Sequence, residues 1–597
     1  MSAGSRSHRS GPLAALVTVV LLVVAGCATV PSSSSPVVVD TVRADSRADL
    51  VPPPLSGREP DLLVCDYLTA STSPTDRHAA ARKYLTDGAA SGWDDGASTT
   101  IVDNVDCLID ERAAERTTIL MRGDSVGTLN ATGQFAVDIA PRPFSLVLTL
   151  LRVNGQWRID NPPSGVLMRK AEFQSAYRRL PVFFLDSGLD TVVPDPRWLV
   201  KDPDSLAARL IDLLVAGPSA DLAPSVVTEF APGVRLRSNV SKADNSGAPA
   251  ASGGRGVRID FGNLDRLDMG KRQLLAAQVV WTLDAAGVTG PYFLLADGAP
   301  LDDAHANGWT TADVVSTDPA ASPGASVPLH ALVGGALVSV GDSKVTPVTG
   351  PLGGYTTLQS AALSRDGQRV AAVARSQPNG TQLLVGVTGG GGLVVAAQGD
   401  TMTRPTWSVD GSAVWVAQNG STVLRVSQDP VTGVPSTQQV DTSALGAPPG
   451  SITALRLSRD GVRAALVVGG RVQLALVTRT ETGTVAFTSP RLVAPGLAAT
   501  AVTLDWTNAD TMLVVRTDPD RPVVSVTVDG AELRVLPGNN LSAPVRAVAA
   551  SPTAQLVADS RGILTLSSSD TTGERIWRQV PGLGGETGPS AVPILPG

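Results

Sequence analysis

A short phrase recurs through the second half of the chain, and its spacing leaves few folds open. Leu363-Ser364-Arg365-Asp366-Gly367 is followed by Trp407-Ser408-Val409-Asp410-Gly411 and Leu457-Ser458-Arg459-Asp460-Gly461, with weaker copies at Trp506-Thr507-Asn508-Ala509-Asp510 and Ala550-Ser551-Pro552. The serine-equivalent positions lie 44, 50, 49 and 44 residues apart. Between them run only short Val-, Leu- and Ala-rich strands, as at Arg369–Ala374, Ala413–Ala417 and Arg463–Val468. Asp-Gly supplies the tight turn, because glycine accepts a positive φ without a Cβ clash. A period of about 40 to 50 residues built from strands alone predicts a β-propeller. Five copies are visible, and Leu332–Val348 has strands that could close a ring with the C-terminus, so residues 329–597 are expected to form five to six blades.

The other end of the chain carries an address. Arg6 and Arg9 precede an apolar run from Leu13 to Val24, which stops at Val24-Ala25-Gly26-Cys27. A basic start, an apolar stretch and small residues make a signal peptide. The run, about a dozen residues, is well short of the roughly 20 that span a bilayer. Its closing string resembles a bacterial lipobox. That resemblance implies cleavage of residues 1–26 between Gly26 and Cys27, a diacylglycerol thioether on the Cys27 sulfur and an acyl group such as palmitate on the freed amine. The alternative is an ordinary secretory signal with a cysteine near its cleavage point. Two or three acyl chains make a stable anchor, where one holds only marginally. Residues 27–56, with Ser32 to Ser35 and Pro52 to Pro54, read as a tether that buries too little apolar surface to offset its ordering entropy.

The remaining chain, about 540 residues, is too long for one core and predicts three or four domains. With 43% hydrophobic and 17% charged residues it is globular in composition. Net charge is −7, or −9 once Arg6 and Arg9 leave with the signal. Without a basic stripe, nucleic acid is excluded as an expected partner. Residues 57–163 read as two amphipathic helices (61–69 and 76–86) followed by an antiparallel meander, with Asn154-Gly155 as a type I′ hairpin signal. Helices first and strands second give an α+β cone that resembles a nuclear-transport-factor-like domain. Residues 164–180 are expected to be a linker helix. Residues 181–301 form a second α+β unit: a strand at Val182–Leu185, a helix with Leu206, Leu210, Leu213 and Leu214 on one stripe, a second helix at Lys271–Leu283 and a closing strand at Tyr292–Leu295. This order resembles a GerMN domain. Residues 302–328, rich in Ala, Ser, Gly and Pro, read as a linker.

Catalytic and metal-binding patterns are scarce. Four histidines, His8, His78, His305 and His330, offer no metal pair, and C-x-x-C, H-E-x-x-H and P-loop strings are missing, so no metal or cofactor is expected. Gly123-Asp124-Ser125-Val126-Gly127 fits G-x-S-x-G. A nucleophile elbow needs a strand leading into a helix, whereas strands flank this string, which is expected to be a hairpin turn. Asp94-Asp95 and Asp302-Asp303 could act as acid–base pairs, but in Gly-containing loops they read as turn formers. The turn role of Asp366, Asp410 and Asp460 explains them without calcium, and Gly389 to Gly392 reads as a hairpin connection rather than a phosphate loop. No catalytic residue is assigned, and the chain is expected not to be an enzyme. Cys65 and Cys107 remain as a pair after Cys27 is lipidated; a disulfide and two buried free thiols are both open.

The order lipobox, cone-like domain, GerMN-like domain and propeller resembles LpqB-family lipoproteins of actinobacteria over nearly the whole chain. Arg77-His78-Ala79-Ala80-Ala81-Arg82-Lys83-Tyr84-Leu85, Trp93-Asp94-Asp95 and Ile101-Val102-Asp103-Asn104-Val105-Asp106 look like that family's N-terminal pattern. The resemblance implies a non-enzymatic accessory of an MtrA–MtrB-type two-component system. Such a protein is lipid-anchored on the outer face of the cell membrane, contacts the extracytoplasmic domain of an MtrB-like sensor histidine kinase, and affects envelope and cell-cycle signalling. The alternative function is binding of peptidoglycan or another envelope glycan, which an aromatic content of only 4% disfavours.

Overall fold

The computed structural model describes residues 53–597 apart from 245–255, 265–266, 319, 321–326, 342–343, 430, 449, 481–482, 568–574 and 585–590. In the N-terminal domain three helices, α1 (Pro60–Ala70), α2 (Thr75–Arg82) and α3 (Asp87–Gly92), precede a five-stranded sheet. Its strands are β1 (Thr99–Arg112), β2 (Arg116–Leu129), β3 (Phe135–Val153), β4 (Gln156–Ile159) and β5 (Val166–Arg169), in the order β4-β3-β2-β1-β5. α1 buries Leu63, Val64, Tyr67 and Leu68, a helical-spaced apolar set. Asn154 and Gly155 turn β3 into β4, both with positive φ, as the hairpin signal predicts.

The linker helix expected over 164–180 is much shorter. Val166–Arg169 is a strand, β5, parallel to β1, and only Lys170–Ala176 is helical (α4). Val166, Leu167 and Met168 are buried, an apolar triplet that has to find a sheet rather than span open solvent.

The second domain starts at once with β6 (Tyr177–Asp186), paired antiparallel with β7 (Val192–Val200). Two helices follow, α5 (Leu206–Ala216) and α6 (Met269–Ala285), and strands Val257–Gly262 and Tyr292–Ala296 run parallel. Asp268 caps α6, its side chain accepting from Lys271 N at 2.9 Å. Gln278 is fully buried on α6, donating to Phe183 O at 3.1 Å and accepting from Glu229 N at 2.9 Å, so a polar group in the core is satisfied while it ties α6 to β6. The linker expected over 302–328 also begins later. Trp309 and Tyr292 exchange backbone hydrogen bonds of 2.8 and 2.9 Å, Val314 is buried, and Trp281 Nε1 donates to Thr317 Oγ1 at 3.0 Å. Two apolar anchors inside a small-residue context hold residues through Thr317 on the domain.

From Leu329 onward the chain forms six four-stranded antiparallel sheets among the described residues, the upper of the two expected blade numbers. Val592–Ile594 pairs with Leu329–Val333, so the last strand completes the first blade and closes the ring. Middle strands such as Ala413–Gln418 and Arg463–Val468 are buried almost throughout, sandwiched between neighbouring blades.

Candidate functional site

The repeated turns share one hydrogen-bond pattern. In the second blade Ser364 Oγ donates to Asp366 Oδ1 at 2.5 Å, Gln368 N donates to the same oxygen at 3.0 Å, and Arg369 N donates to Ser364 Oγ at 2.9 Å. Ser408 and Asp410 repeat it in the third blade. Both aspartates are exposed, and each serves its own turn. Asp460 makes the same local bonds but is only 3% exposed. It also receives Arg463 Nη1 at 3.0 Å, and Arg463 Nη2 reaches Pro194 O on β7 at 2.6 Å. Thr527-Val528-Asp529-Gly530 is a further turn of this kind, off the period of the repeat: Thr527 Oγ1 donates to Asp529 Oδ1 at 2.6 Å.

Asp529 is the hub of a junction among all three domains. Its Oδ2 receives Arg179 Nε from β6 and Trp198 Nε1 from β7, each at 3.0 Å, while Arg179 Nη1 reaches Asp510 at 2.7 Å. Trp198 faces the other way too. Its backbone N donates to Gly133 O in the β2–β3 loop at 2.7 Å, and its ring lies 4.6 Å from that of Phe173 on α4, which in turn packs 5.9 Å from Phe135 on β3. Arg197 Nη1 donates to Thr132 Oγ1 at 3.2 Å, and Arg197 Nη2 donates to buried Asp195 at 2.6 Å. Burial alone would push the Asp529 carboxyl up, but the Arg179 guanidinium, with Thr527 and Trp198, outweighs it and holds the group below the usual carboxylate range. Burial does prevail at Asp460, whose carboxyl is pushed up despite Arg463.

Beside this junction lies an open cleft of about 480 Å³, lined by Gln174, Arg178, Lys201 and Arg534 among others. Its volume falls within the roughly 300–1,000 Å³ usual for ligand sites, which favour domain interfaces. Arg178 donates to Ala286 O and Lys201 to Ser175 O, so carbonyls orient both cations, while Glu532 on the same wall pairs with Arg534 at 2.8 Å. Such a cleft can accept an acidic group.

The residues singled out in the sequence do not converge. Gly26 and Cys27 lie outside the described residues. Cys65 on α1 and Cys107 on β1 are free thiols with sulfurs 3.5 Å apart. The hydrogen bond between them eases loss of the first proton, lowering Cys65 to about 7, and hinders loss of the second at Cys107. Ser125 sits inside β2 rather than in the expected hairpin turn; it donates to Asp138 at 2.6 Å. Gly127 is the physical reason. A Cβ there would fall 2.5 Å from the Phe135 ring, so glycine serves close strand packing beside a bulge instead of a turn. Asp95 pairs with Arg82 and Arg77, and Asp302 caps a short helical turn and receives His305. Among the described residues no three His, Cys, Asp or Glu side chains form a metal-binding group. Arg179 and Trp198 carry no motif; the turn phrase at 527–530 was the one readable sign of their partner.

Three family models tile the chain. Those described as "Lipoprotein LpqB, N-terminal domain", "Sporulation and spore germination" and "Lipoprotein LpqB beta-propeller domain" match residues 53–174, 181–302 and 335–596. "Lipoprotein LpqB" of Rhodococcus opacus is 47% identical over 603 residues, covering 100% of both chains. The chain belongs to the LpqB lipoprotein family. A second relative of the same name, from Mycobacterium tuberculosis, is 42% identical and covers 96% of this chain and 97% of its own. Among solved structures, a putative TolB from Agrobacterium tumefaciens matches with a TM-score of 0.25 at 16% identity, over 34% of this chain and 73% of its own. At that score it bears on neither fold nor activity. The family boundaries also set the junction in context, since Arg179 lies between the first two matched regions and Asp529 inside the third.

Proposed function

We propose that this family member is a lipid-anchored extracytoplasmic accessory protein without catalytic activity, which contacts the exterior domain of an MtrB-like sensor histidine kinase and biases its signalling to the envelope and cell cycle. The observation that carries the reading is the Trp198 junction. It spends its buried charges on holding three domains together as one body, which suits recognition of a partner rather than turnover of a substrate. Ser125, in the one nucleophile-like string of the sequence, donates its hydrogen bond to Asp138 and lies within a strand. Among the described residues no helix is long and apolar enough to cross a membrane, so an anchor at Cys27 would be what keeps such a body beside the kinase, confining its search to two dimensions.

The test is cross-linking of the protein in its native membrane, with and without Cys27→Ala, followed by identification of partners. A sensor kinase recovered with the wild type and lost with Cys27→Ala supports the reading. Recovery of envelope glycan and never of a kinase contradicts it and favours a second reading, binding of an acidic envelope glycan, for which the cationic cleft at Arg178 and Lys201 speaks.

A further inference from the structure

One wall of the cationic cleft is the edge of a β-sheet. Leu533–Val535 is the fourth strand of the fifth blade; it pairs antiparallel with Val523–Thr527, and no described strand lies on its other side. Thr527 N donates to Glu532 O and Leu536 N donates to Val523 O, so residues 532, 534 and 536 bond inward. Antiparallel alternation then turns the N–H and C=O groups of Leu533 and Val535 outward. All three residues of the strand are exposed, Leu533 at 41% and Val535 at 48%. The edges of the adjoining blades are better covered. That of the fourth begins with buried Val485, Ala486 and Phe487, with Asp441 bridged to Ala486, and that of the sixth buries Trp577, Val580 and Leu583. A bare edge is a template for another strand, and proteins usually cover or blunt it.

Leu533 and Arg534 share the cleft with Arg178 of β6 and with Lys201, the residue after β7. Glu532 is taken by Arg534, and Arg179 by Asp510 and Asp529. Arg178 and Lys201 enter no ion pair among the described residues; their contacts are the carbonyls of Ala286, Gln174 and Ser175. The cleft thus brings together outward-facing amide groups, two exposed aliphatic side chains on one face of the same strand, and two cations that hold only carbonyls. Its aromatic rings are not offered to a sugar. Tyr177 and Trp198 are buried, and Trp198 Nε1 is spent on Asp529.

We propose that this edge is the docking site for an acidic, extended segment of a partner polypeptide, which adds to the blade as a further strand beside Leu533–Val535. Main-chain hydrogen bonds to Leu533 and Val535 hold it, its apolar side chains cover those two residues, and its carboxylates meet Arg178 and Lys201. The choice of a polypeptide rests on the accessory-protein reading above. The outward amide groups favour it over a glycan, because a strand answers donors and acceptors together at the repeat of the edge.

The experiment is fluorescence anisotropy with the full mature protein in detergent and four probes: a hexapeptide alternating valine and glutamate, its valine–glutamine counterpart, a backbone N-methylated form of the first, and oligogalacturonate as an acidic glycan. The glutamate peptide should bind saturably, the glutamine peptide about tenfold more weakly, and the N-methylated peptide not at all. Arg178→Gln combined with Lys201→Gln should bring the first two peptides level. Val535→Pro should abolish binding of both with Tm unchanged, because the N–H it removes bonds nothing in the blade; N-methylation makes the same cut from the ligand side without touching the fold. No saturable binding of the glutamate peptide, or binding that N-methylation leaves intact, would overturn the proposal. So would oligogalacturonate that binds more tightly than the peptide and is lost with Arg178→Gln and Lys201→Gln. Native-membrane cross-linking separates this site from the reading it rests on. A kinase recovered equally with wild type and Val535→Pro overturns the site and leaves the accessory role standing, whereas peptide binding that answers to both sets of variants, with no kinase recovered, upholds the site and counts against the accessory role alone.

Discussion

Asp366 and Asp529 occupy the same kind of turn and lead different lives. Asp366 is exposed and binds only its own loop, whereas Asp529 is 4% exposed and holds Arg179 and Trp198 from another domain. Asp410 sides with Asp366, and Asp460 with Asp529. A turn carboxylate with one oxygen committed locally keeps a second oxygen free, and on the fourth and fifth blades that oxygen, or the arginine it orients, reaches the second domain. The repeat therefore supplies both a device for folding blades and, on one side of the ring, a set of fixed charges for docking.

The largest test of that difference is Arg179→Met, which leaves two carboxylates at the seam without their cation. Its expected cost is about 3–5 kcal/mol in denaturant unfolding, and a loss under about 1 kcal/mol would put the docking role in doubt. A control away from the seam is oxidation of Cys65 and Cys107. Treatment with oxidised glutathione should join them, remove both free thiols and stabilise the N-terminal domain by about 2–4 kcal/mol, leaving Arg179→Met as costly as before; thiols that stay free would show that the 3.5 Å contact is not a bonding geometry. Next, Asp529→Asn should cost about 2–3 kcal/mol while Asp366→Asn stays within about 0.5 kcal/mol, and similar values for the two would erase the comparison. The smallest effect is in pH. Because the Asp529 carboxyl is held below its ordinary value, its contribution is complete above about pH 4, the unfolded pKa, and falls as pH drops from there through the lower folded value. Unfolding curves between pH 5 and 2 should show a loss that Asp529→Asn lacks.

How much of this could be read beforehand follows the range of the interactions. Six blades were close to legible because the Ser-x-Asp-Gly turn is chemistry within five residues, repeated often enough to set a period. The Asn154-Gly155 hairpin was legible for the same reason. The seam was not, since Trp198 and Asp529 are 331 residues apart and Arg179 and Asp529 are 350 apart, and neither Arg179 nor Trp198 is marked by its neighbours. Asp529 lay within reach: Thr527-Val528-Asp529-Gly530 has the turn phrase but falls off the repeat's period, on an outer hairpin of its blade. Composition misled at Asp302–Thr317, where Trp309 and Val314 outweigh the small polar residues around them, and at Gly123–Gly127, where turn-forming residue types serve tight strand packing.

The central claim is that the second domain and the propeller are one cooperative body because turn carboxylates of the ring hold Arg179. Scanning calorimetry of the wild type and Arg179→Met tests it most directly. A single transition covering both domains in the wild type, split into two by Arg179→Met, is the predicted result; two separate transitions in the wild type, at the same temperatures as in the variant, would contradict it.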